Sequence, residues 1–415
     1  MILRLVVVLG VSVTLVGCAA AYVHGKAARL LRLGPRGRGA LALVLAAGIA
    51  ATLAARLLER TFPATTLAPP GMAGWVITVA TVIATLLLGL VDLASLAARR
   101  LRPRPVLATP PPEPEAARPS LDPAAGPSPR APASRRVFLS QAATGSALAI
   151  GAASATYGAL FGRRDYTLEE VSFAIPGLSR RLDGYTLVQL SDLHLGTFVG
   201  EAEMRAAEAL VARARPDLIV LTGDLIDHDS RQANKLGRFV QRLMALARDG
   251  VIAVPGNHDY YTGIDMVVTV LERAGAQVLR NGGRVIGDQG AGFALLGVDD
   301  PAGPQEDERA VGPDLGAALA ALPASADLPR VLLCHNPAYF PQAAGKVALQ
   351  LSGHTHGGQI NLGVSPAKLV LRHGLVAGRY AREGSGLYVN RGFGTVGPPV
   401  RLGAPPEVTR IVLTV

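Results

Sequence analysis

Asp192-Leu193-His194, Gly223-Asp224, Gly256-Asn257-His258-Asp259, His335-Asn336-Pro337 and Gly353-His354-Thr355-His356-Gly357-Gly358-Gln359 are five short strings in which histidine, aspartate and asparagine recur beside glycine. Five of the eight histidines of the chain lie in them. A lone histidine is more often a hydrogen-bonded core residue than a ligand, but five such clusters in one segment exclude that reading for the set. Carboxylate, carboxamide and imidazole donors together suit borderline divalent metals such as Mn, Fe or Zn. Seven candidate ligands among these residues exceed the four that one structural zinc uses, so two divalent metal ions are expected. The adjacent glycines allow tight turns and a close approach of backbone to a ligand.

The elements that must position these residues are legible as apolar, β-rich runs at 185–191, 218–222, 251–255, 331–334 and 348–352, each ending in one of the strings. Further strands are expected at 293–298, 387–390 and 408–415, and helix-period segments at 201–215 and 233–248. The order predicts a large α/β or α+β unit over 165–415 whose strands deliver ligands at their C-terminal ends, where α/β sheets gather them. Asp192/His194 and His354/His356 are i,i+2 pairs, and an extended chain would send both members to one side.

D-x-H, G-D, G-N-H-D, H and G-H-x-H in this order resemble the five motifs of the calcineurin-like metallophosphoesterases, over about residues 170–415. LVQLSDLHLG, SGHTHGGQ, GVDD and NRGFGTVGPPVRLGAPPE are similar to a membrane-tethered bacterial phosphodiesterase subgroup, which includes transmembrane proteins with a metallophosphoesterase domain. The resemblance implies a four-layer α/β/β/α sandwich. It implies that Asp192, His194 and His356 bind one metal, that Asn257, His335 and His354 bind the second, and that Asp224 bridges them. It makes His258 the non-ligand acid, with no role for His228 or His373. Asp259 either orients the His258 imidazole or caps the following segment. Asn390 and Arg391 are candidates to contact a substrate phosphate, with a surface salt bridge as the alternative for Arg391.

The expected chemistry is phosphoester hydrolysis: two divalent ions make hydroxide available near neutral pH and hold the phosphoryl oxygens. The substrate expected is a membrane or cell-envelope phosphodiester. The alternatives are a UDP-2,3-diacylglucosamine pyrophosphatase-type hydrolase in lipid A synthesis, facing the cytoplasm, and an inactive scaffold on the same fold.

Charge separates this unit from the rest. The formal net charge is +10 overall, but residues 1–164 carry 18 Lys and Arg against five Asp and Glu, whereas the remainder is net negative. The basic residues therefore sit between apolar runs, which is how membrane topology is set, and nucleic-acid binding is excluded. Uncharged stretches at 5–23, 40–55, 72–91 and 137–162 predict three transmembrane helices within 1–100 and a fourth over 137–162. Lys26, Arg29, Arg32, Arg36 and Arg38 follow the first stretch and Arg99, Arg100, Arg102 and Arg104 the third. They place those segments in the cytoplasm, the N-terminus outside, and the C-terminal unit on the extracytoplasmic face of a bacterial inner membrane. Leu15-Val16-Gly17-Cys18 matches a lipoprotein cleavage box but would need the opposite orientation. Residues 101–136 form a linker, with eleven prolines among the thirty residues of 103–132, too proline-rich to pack a core. It ends in Ser134-Arg135-Arg136-Val137-Phe138-Leu139, which resembles a twin-arginine export signal and would engage that machinery; a plain stop-transfer arginine pair is the alternative. Ala153-Ser154-Ala155 fits a small-residue cleavage site. Cys18 and Cys334 form no disulfide framework.

Overall fold

The computed structural model describes residues 2–59, 61–100, 135–288, 291–307, 310–323, 328–363, 365–371 and 373–415. The proline-rich linker lies outside them, apart from the Arg135 and Arg136 that begin a helix. The chain divides into two compact units, Met1–Ala47 with Thr78–Ala153, and Gly48–Ile77 with Ser154–Val415.

The apolar runs lie in four helices: α1 (Ile2–Leu30), α2 (Pro35–Leu58), α3 (Ala64–Arg100) and α4 (Arg135–Leu160). Among the described residues three segments are long and apolar enough to cross a membrane, Pro35–Leu58, Ala64–Ala98 and Val137–Arg164. In the first unit Val23, Ala84, Leu88 and Ala147 form a small apolar contact. The charge of Asp92 is compensated there, because Lys26 Nζ lies 2.5 Å from Oδ1 and Tyr22 donates its hydroxyl to Oδ2 at 2.7 Å. An ionisable residue in an apolar helix needs such partners.

The second unit holds two six-stranded sheets. One runs β1 (Thr167–Ala174), β12 (Glu407–Thr414), β2 (Tyr185–Leu190), β3 (Leu218–Thr222), β4 (Val251–Val254), β5 (Gln277–Val278). The other runs β10 (Gly378–Arg382), β11 (Ser385–Val389), β9 (Leu349–Ser352), β8 (Arg330–Leu333), β7 (Phe293–Gly297), β6 (Gly282–Ile286). β2, β3, β4 and β5 are parallel, as are β7, β8, β9 and β11. Strands β2, β3, β4, β7 and β9 are buried along their whole length, which is why they read as continuous apolar runs. All eight strands expected from sequence form. The four that sequence reasoning missed, β1, β5, β6 and β10, lie at sheet edges and carry exposed polar residues that dilute the apolar signal.

The remaining helices are α5 (Glu201–Ala214), α6 (Ala233–Met244), α7 (Asn257–Thr262), α8 (Ile264–Arg273), α9 (Gly303–Glu306), α10 (Leu315–Ala320), α11 (Phe340–Ala343) and α12 (Ala367–Val370). Leu187, Leu218, Ile252 and Val254 of one sheet pack on Leu295, Val331, Leu333, Leu349 and Leu351 of the other. The outer face of the first sheet packs on α5, α6 and α8 through Met204, Val211, Leu236, Phe239 and Leu271. The outer face of the second packs on α10 through Leu315 and Ala318. The result is the four-layer α/β/β/α sandwich, with the C-terminal ends of the central parallel strands of both sheets gathered at one rim. Phe239 is fully buried in the outer layer. Phe239→Ala should cost about 3–5 kcal/mol of stability, read as a lowered thermal unfolding transition of the full chain. An unshifted transition would mean that this layer does not hold the sheet.

Candidate metal centre

Three loops from one sheet and two from the other meet at that rim. Asp192 and His194 follow β2, Asp224 follows β3 and Asn257 follows β4, whereas His335 follows β8 and His354 and His356 follow β9. The loops are stitched together by backbone: Asp192 N–H donates to Gly223 O, His194 N–H to Asp224 O and Gly353 N–H to His335 O, at 2.9–3.0 Å. Gly353 is required by this approach, since a Cβ there would fall on Ser191 Oγ and Asp192 Oδ2.

The paired ligands do not lie on extended chain. Asp192, His194, Asp224, His354 and His356 have φ of 53°, 47°, 55°, 72° and 51°. The expectation of strand-like alternation is therefore corrected: each side chain is aimed by a left-handed backbone turn. That conformation costs a non-glycine residue roughly 1–2 kcal/mol. Such strain persists where surrounding structure enforces it, and it clusters at functional sites.

The donors converge. Asp192 Oδ1 lies 3.3 Å from His356 Nε2 and 3.9 Å from His194 Nε2, and the two histidine nitrogens are 3.0 Å apart. Asp224 Oδ2 lies 3.2 Å from His335 Nε2 and 3.6 Å from His194 Nε2. His335 Nε2 is 3.3 Å from His354 Nδ1. Asp224 thus stands between two donor groups. Ligands about 2.1 Å from one cation stand about 3 Å from each other, so these separations fit cation binding. A second sign is the side chain of Asn257, whose buried Oδ1 has no hydrogen-bond partner. A buried orphan carbonyl oxygen is costly unless it has a ligand to hold.

Neighbours fix the ligands' orientation and charge. His335 donates Nδ1–H to Thr222 O at 2.7 Å, which turns Nε2 toward Asp224. Asp192 accepts the His354 backbone N–H at 3.0 Å, and Asp224 accepts that of His258 at 2.8 Å. Burial works against ionisation of Asp224, but the charge and hydrogen bond of His335 prevail and hold it well below the ordinary carboxylate range. Burial also pushes up Asp192, and His356 outweighs it, leaving a carboxylate. Burial, with repulsion from His335, depresses His354 to about 4; burial, against the pull of Asp192, depresses His356 to about 4. Both imidazoles are therefore neutral near pH 7, the form that ligates metal.

The family model described as calcineurin-like phosphoesterase matches residues 185–358. An uncharacterized metallophosphoesterase of Aquifex aeolicus is 31% identical, over 55% of this chain and 84% of its own length. The uncharacterized metallophosphoesterase YkuE of Bacillus subtilis is 31% identical, over 68% of this chain and 97% of its own. A transmembrane protein with metallophosphoesterase domain from Danio rerio is also 31% identical, over 64% of this chain, which spans 62% of that relative. The chain belongs to the calcineurin-like metallophosphoesterases. It is a phosphoester hydrolase.

Beside the candidate ligands of this metallophosphoesterase stands a residue that the sequence reading missed. Asp227 Oδ1 lies 2.9 Å from His258 Nδ1 and 2.7 Å from His228 Nδ1, and 3.8 Å from His194 Nδ1. Burial opposes its ionisation, but His194 close by and the hydrogen bonds from His228 and His258 bring it well below the ordinary range. Asp227 is thus the group that orients His258. Asp259 is not: its carboxylate accepts the backbone N–H groups of Asp224, Leu225 and Gly256 at 2.9 Å and so caps α7 and clamps the Gly223-Asp224 turn. The repeat of aspartate three residues after Asp224 was the available signal. His228 belongs to this cluster, its ring 4.8 Å from that of His258, whereas His373 only accepts the Leu375 N–H.

Asn390 and Arg391 are corrected as substrate contacts. Asn390 is fully buried, donating to Thr409 Oγ1 and accepting from Gly392 N–H. Arg391 pairs with Glu169 at 2.6 Å and Glu407 at 2.8 Å and donates to Pro405 O. Its fork is used within the fold, as in the salt-bridge alternative. The missed arginine near the metal ligands is Arg401, fully buried, with Nη2 3.2 Å from His356 Nδ1 and donating to the carbonyls of Gly392 and Gly394. Replacing Asp227 by Asn should leave metal content intact and lower kcat by about 10–100-fold, because the imidazole loses its orienting anion. Metal analysis beside steady-state kinetics checks this; unaltered kcat would remove Asp227 from the site.

Proposed function

We propose that this protein is a dinuclear phosphodiesterase of a bacterial inner membrane, acting on a membrane or cell-envelope phosphodiester. The observation that carries the reading is Asp224 standing between two donor groups, with His258 held beside them by Asp227. One divalent ion would be held by Asp192, His194 and His356, a second by Asn257, His335 and His354, with Asp224 shared. Such ions supply Lewis acidity toward the phosphoryl group and toward the attacking water.

The chain's own residues do the rest. A ring nitrogen of His258 lies within 4.8 Å of the ligand atoms of His194 and Asp224. With Nδ1–H committed to Asp227, Nε2 is the atom that carries a proton to the leaving alkoxide. The half-buried carboxylate of Asp227 fixes the plane of that imidazole. Proton donation of this kind is worth about 10²–10⁴-fold. Helices that can cross a membrane, and a relative named a transmembrane protein, support the membrane setting. The arginine distribution supports an extracytoplasmic catalytic face.

Two experiments test these readings. In purified full-length protein reconstituted with Mn or Zn, Asp224→Asn should lose metal and bis(p-nitrophenyl) phosphate hydrolysis together. His258→Ala should keep its metal and lose rate, more for alkyl diesters than for p-nitrophenyl diesters, whose leaving oxygen hardly needs a proton. An equal deficit for both substrate types would remove His258 from the role of acid. The twin-arginine reading predicts that Arg135→Lys with Arg136→Lys keeps the catalytic domain in the cytoplasm, as judged by a reporter fused to the C-terminus. Unchanged export would reduce the pair to a stop-transfer flank.

A further inference from the structure

Leu369 and Val370, at the end of α12, are 84% and 76% exposed, and Leu362 is 44% exposed. Large apolar side chains grouped on one loop call for cover. The loop is fastened at both ends to the turn that carries His354 and His356. Asn361 donates its side-chain amide to Gly357 O at 3.0 Å, and Thr355 donates its hydroxyl to Val376 O at 2.5 Å. α12 lies against the same turn, since a Cβ on Gly358 would be 3.1 Å from Ala367 Cβ. Whatever covers this loop therefore sits beside the metal centre.

The neighbouring backbone identifies the cover. Asn361 N–H donates to Leu402 O at 2.7 Å, and Leu402 N–H donates to Gln359 O at 2.9 Å. Arg401 N–H, one residue earlier, donates to Gly158 O at 3.2 Å, and a Cβ on Gly158 would be 3.1 Å from the Leu402 side chain. Gly158 belongs to Val137–Arg164, a segment apolar enough to cross a membrane. The apolar loop thus emerges next to the end of a candidate span. Tyr157, Leu160 and Phe161, at that same helix end, are also exposed. Aromatic residues at a span's end mark the depth of the lipid headgroups. Lys368, exposed between the apolar side chains and α12's start, offers a cation to anionic headgroups.

We infer that the loop bearing Leu362, Leu369 and Val370 rests in the surface of the bilayer crossed by α4, so that the metal centre draws its phosphodiester from a lipid headgroup. For the substrate, though not for the contact, this rests on the phosphodiesterase reading above.

The contact is tested in full-length protein in nanodiscs of phosphatidylethanolamine and phosphatidylglycerol. Cys334 is buried and Cys18 exposed, so Cys18→Ala leaves a background for one introduced thiol. A fluorophore on Leu369→Cys should be quenched by lipids carrying a doxyl group, and one on the exposed Arg181→Cys should not. An unquenched label at 369 overturns the inference. So does a patch covered by a second copy, seen as a dimer in detergent that Leu369→Asp with Val370→Asp dissociates. The same double variant should hydrolyse soluble bis(p-nitrophenyl) phosphate within twofold of wild type. It should hydrolyse hexadecyl p-nitrophenyl phosphate embedded in the disc at least tenfold more slowly. Equal losses on both substrates would make the loop merely structural. If wild type hydrolyses neither diester, the phosphodiesterase reading fails, and quenching still decides the contact.

Discussion

Asp192 and Asp224 are two ionised carboxylates buried where the strand ends of two sheets meet, and among the described residues their ion-pair partners are imidazoles. Removing a carboxylate from water costs several kcal/mol even after relaxation, so each must be met by positive charge at that rim. The site therefore demands cations. The left-handed turns at five ligands, the glycine at 353 that lets one sheet's loop reach the other, and the orphaned Asn257 oxygen all answer that demand. Each costs stability alone, and together they fit a site that can hold positive charge.

What sequence revealed and what it hid divide along physical lines. The candidate ligands were legible because metal chemistry admits few residue types, and the fully buried strands were legible because they are apolar on both faces. Backbone conformation was not: an i,i+2 spacing is the same in an extended strand and in a left-handed turn, and only the φ of 47–72° at Asp192, His194, His354 and His356 separates them. Asp227 was hidden because it acts through His258, and contact between a loop after β3 and the start of α7 is a property of the fold. Arg391 and Arg401 show the same limit. Both sit in motif strings, and only the structure assigns one to Glu169 and Glu407 and the other to the carbonyls around His356.

The boundary of the catalytic unit is the other point on which structure adds to sequence. The composition changes sharply near residue 165, yet the compact unit also contains Gly48–Ile77. Arg231 donates to the backbone carbonyls of Glu59 and Phe62, and Arg56 reaches Asp227 Oδ2 at 3.5 Å. The turn between α2 and α3 is thereby joined to the aspartate that holds the His258 imidazole. No sequence period reports this, because the partners are some 170 positions apart and the acceptors at 59 and 62 are backbone.

That join also constrains topology. Wherever α2 and α3 cross a bilayer, the turn between them must emerge on the side that holds the catalytic unit, since Arg231 and its two carbonyl acceptors cannot be parted by hydrocarbon. Under the topology proposed above, the chain would leave that side through α3 and return through α4 before β1. Arginine counting reaches the same parity independently, from the excess of basic residues after α1 and after α3 over those between α2 and α3. Two unrelated physical effects, a hydrogen bond near the metal centre and the asymmetric retention of cations during insertion, thus both support the proposal that the turn and the catalytic unit share one face.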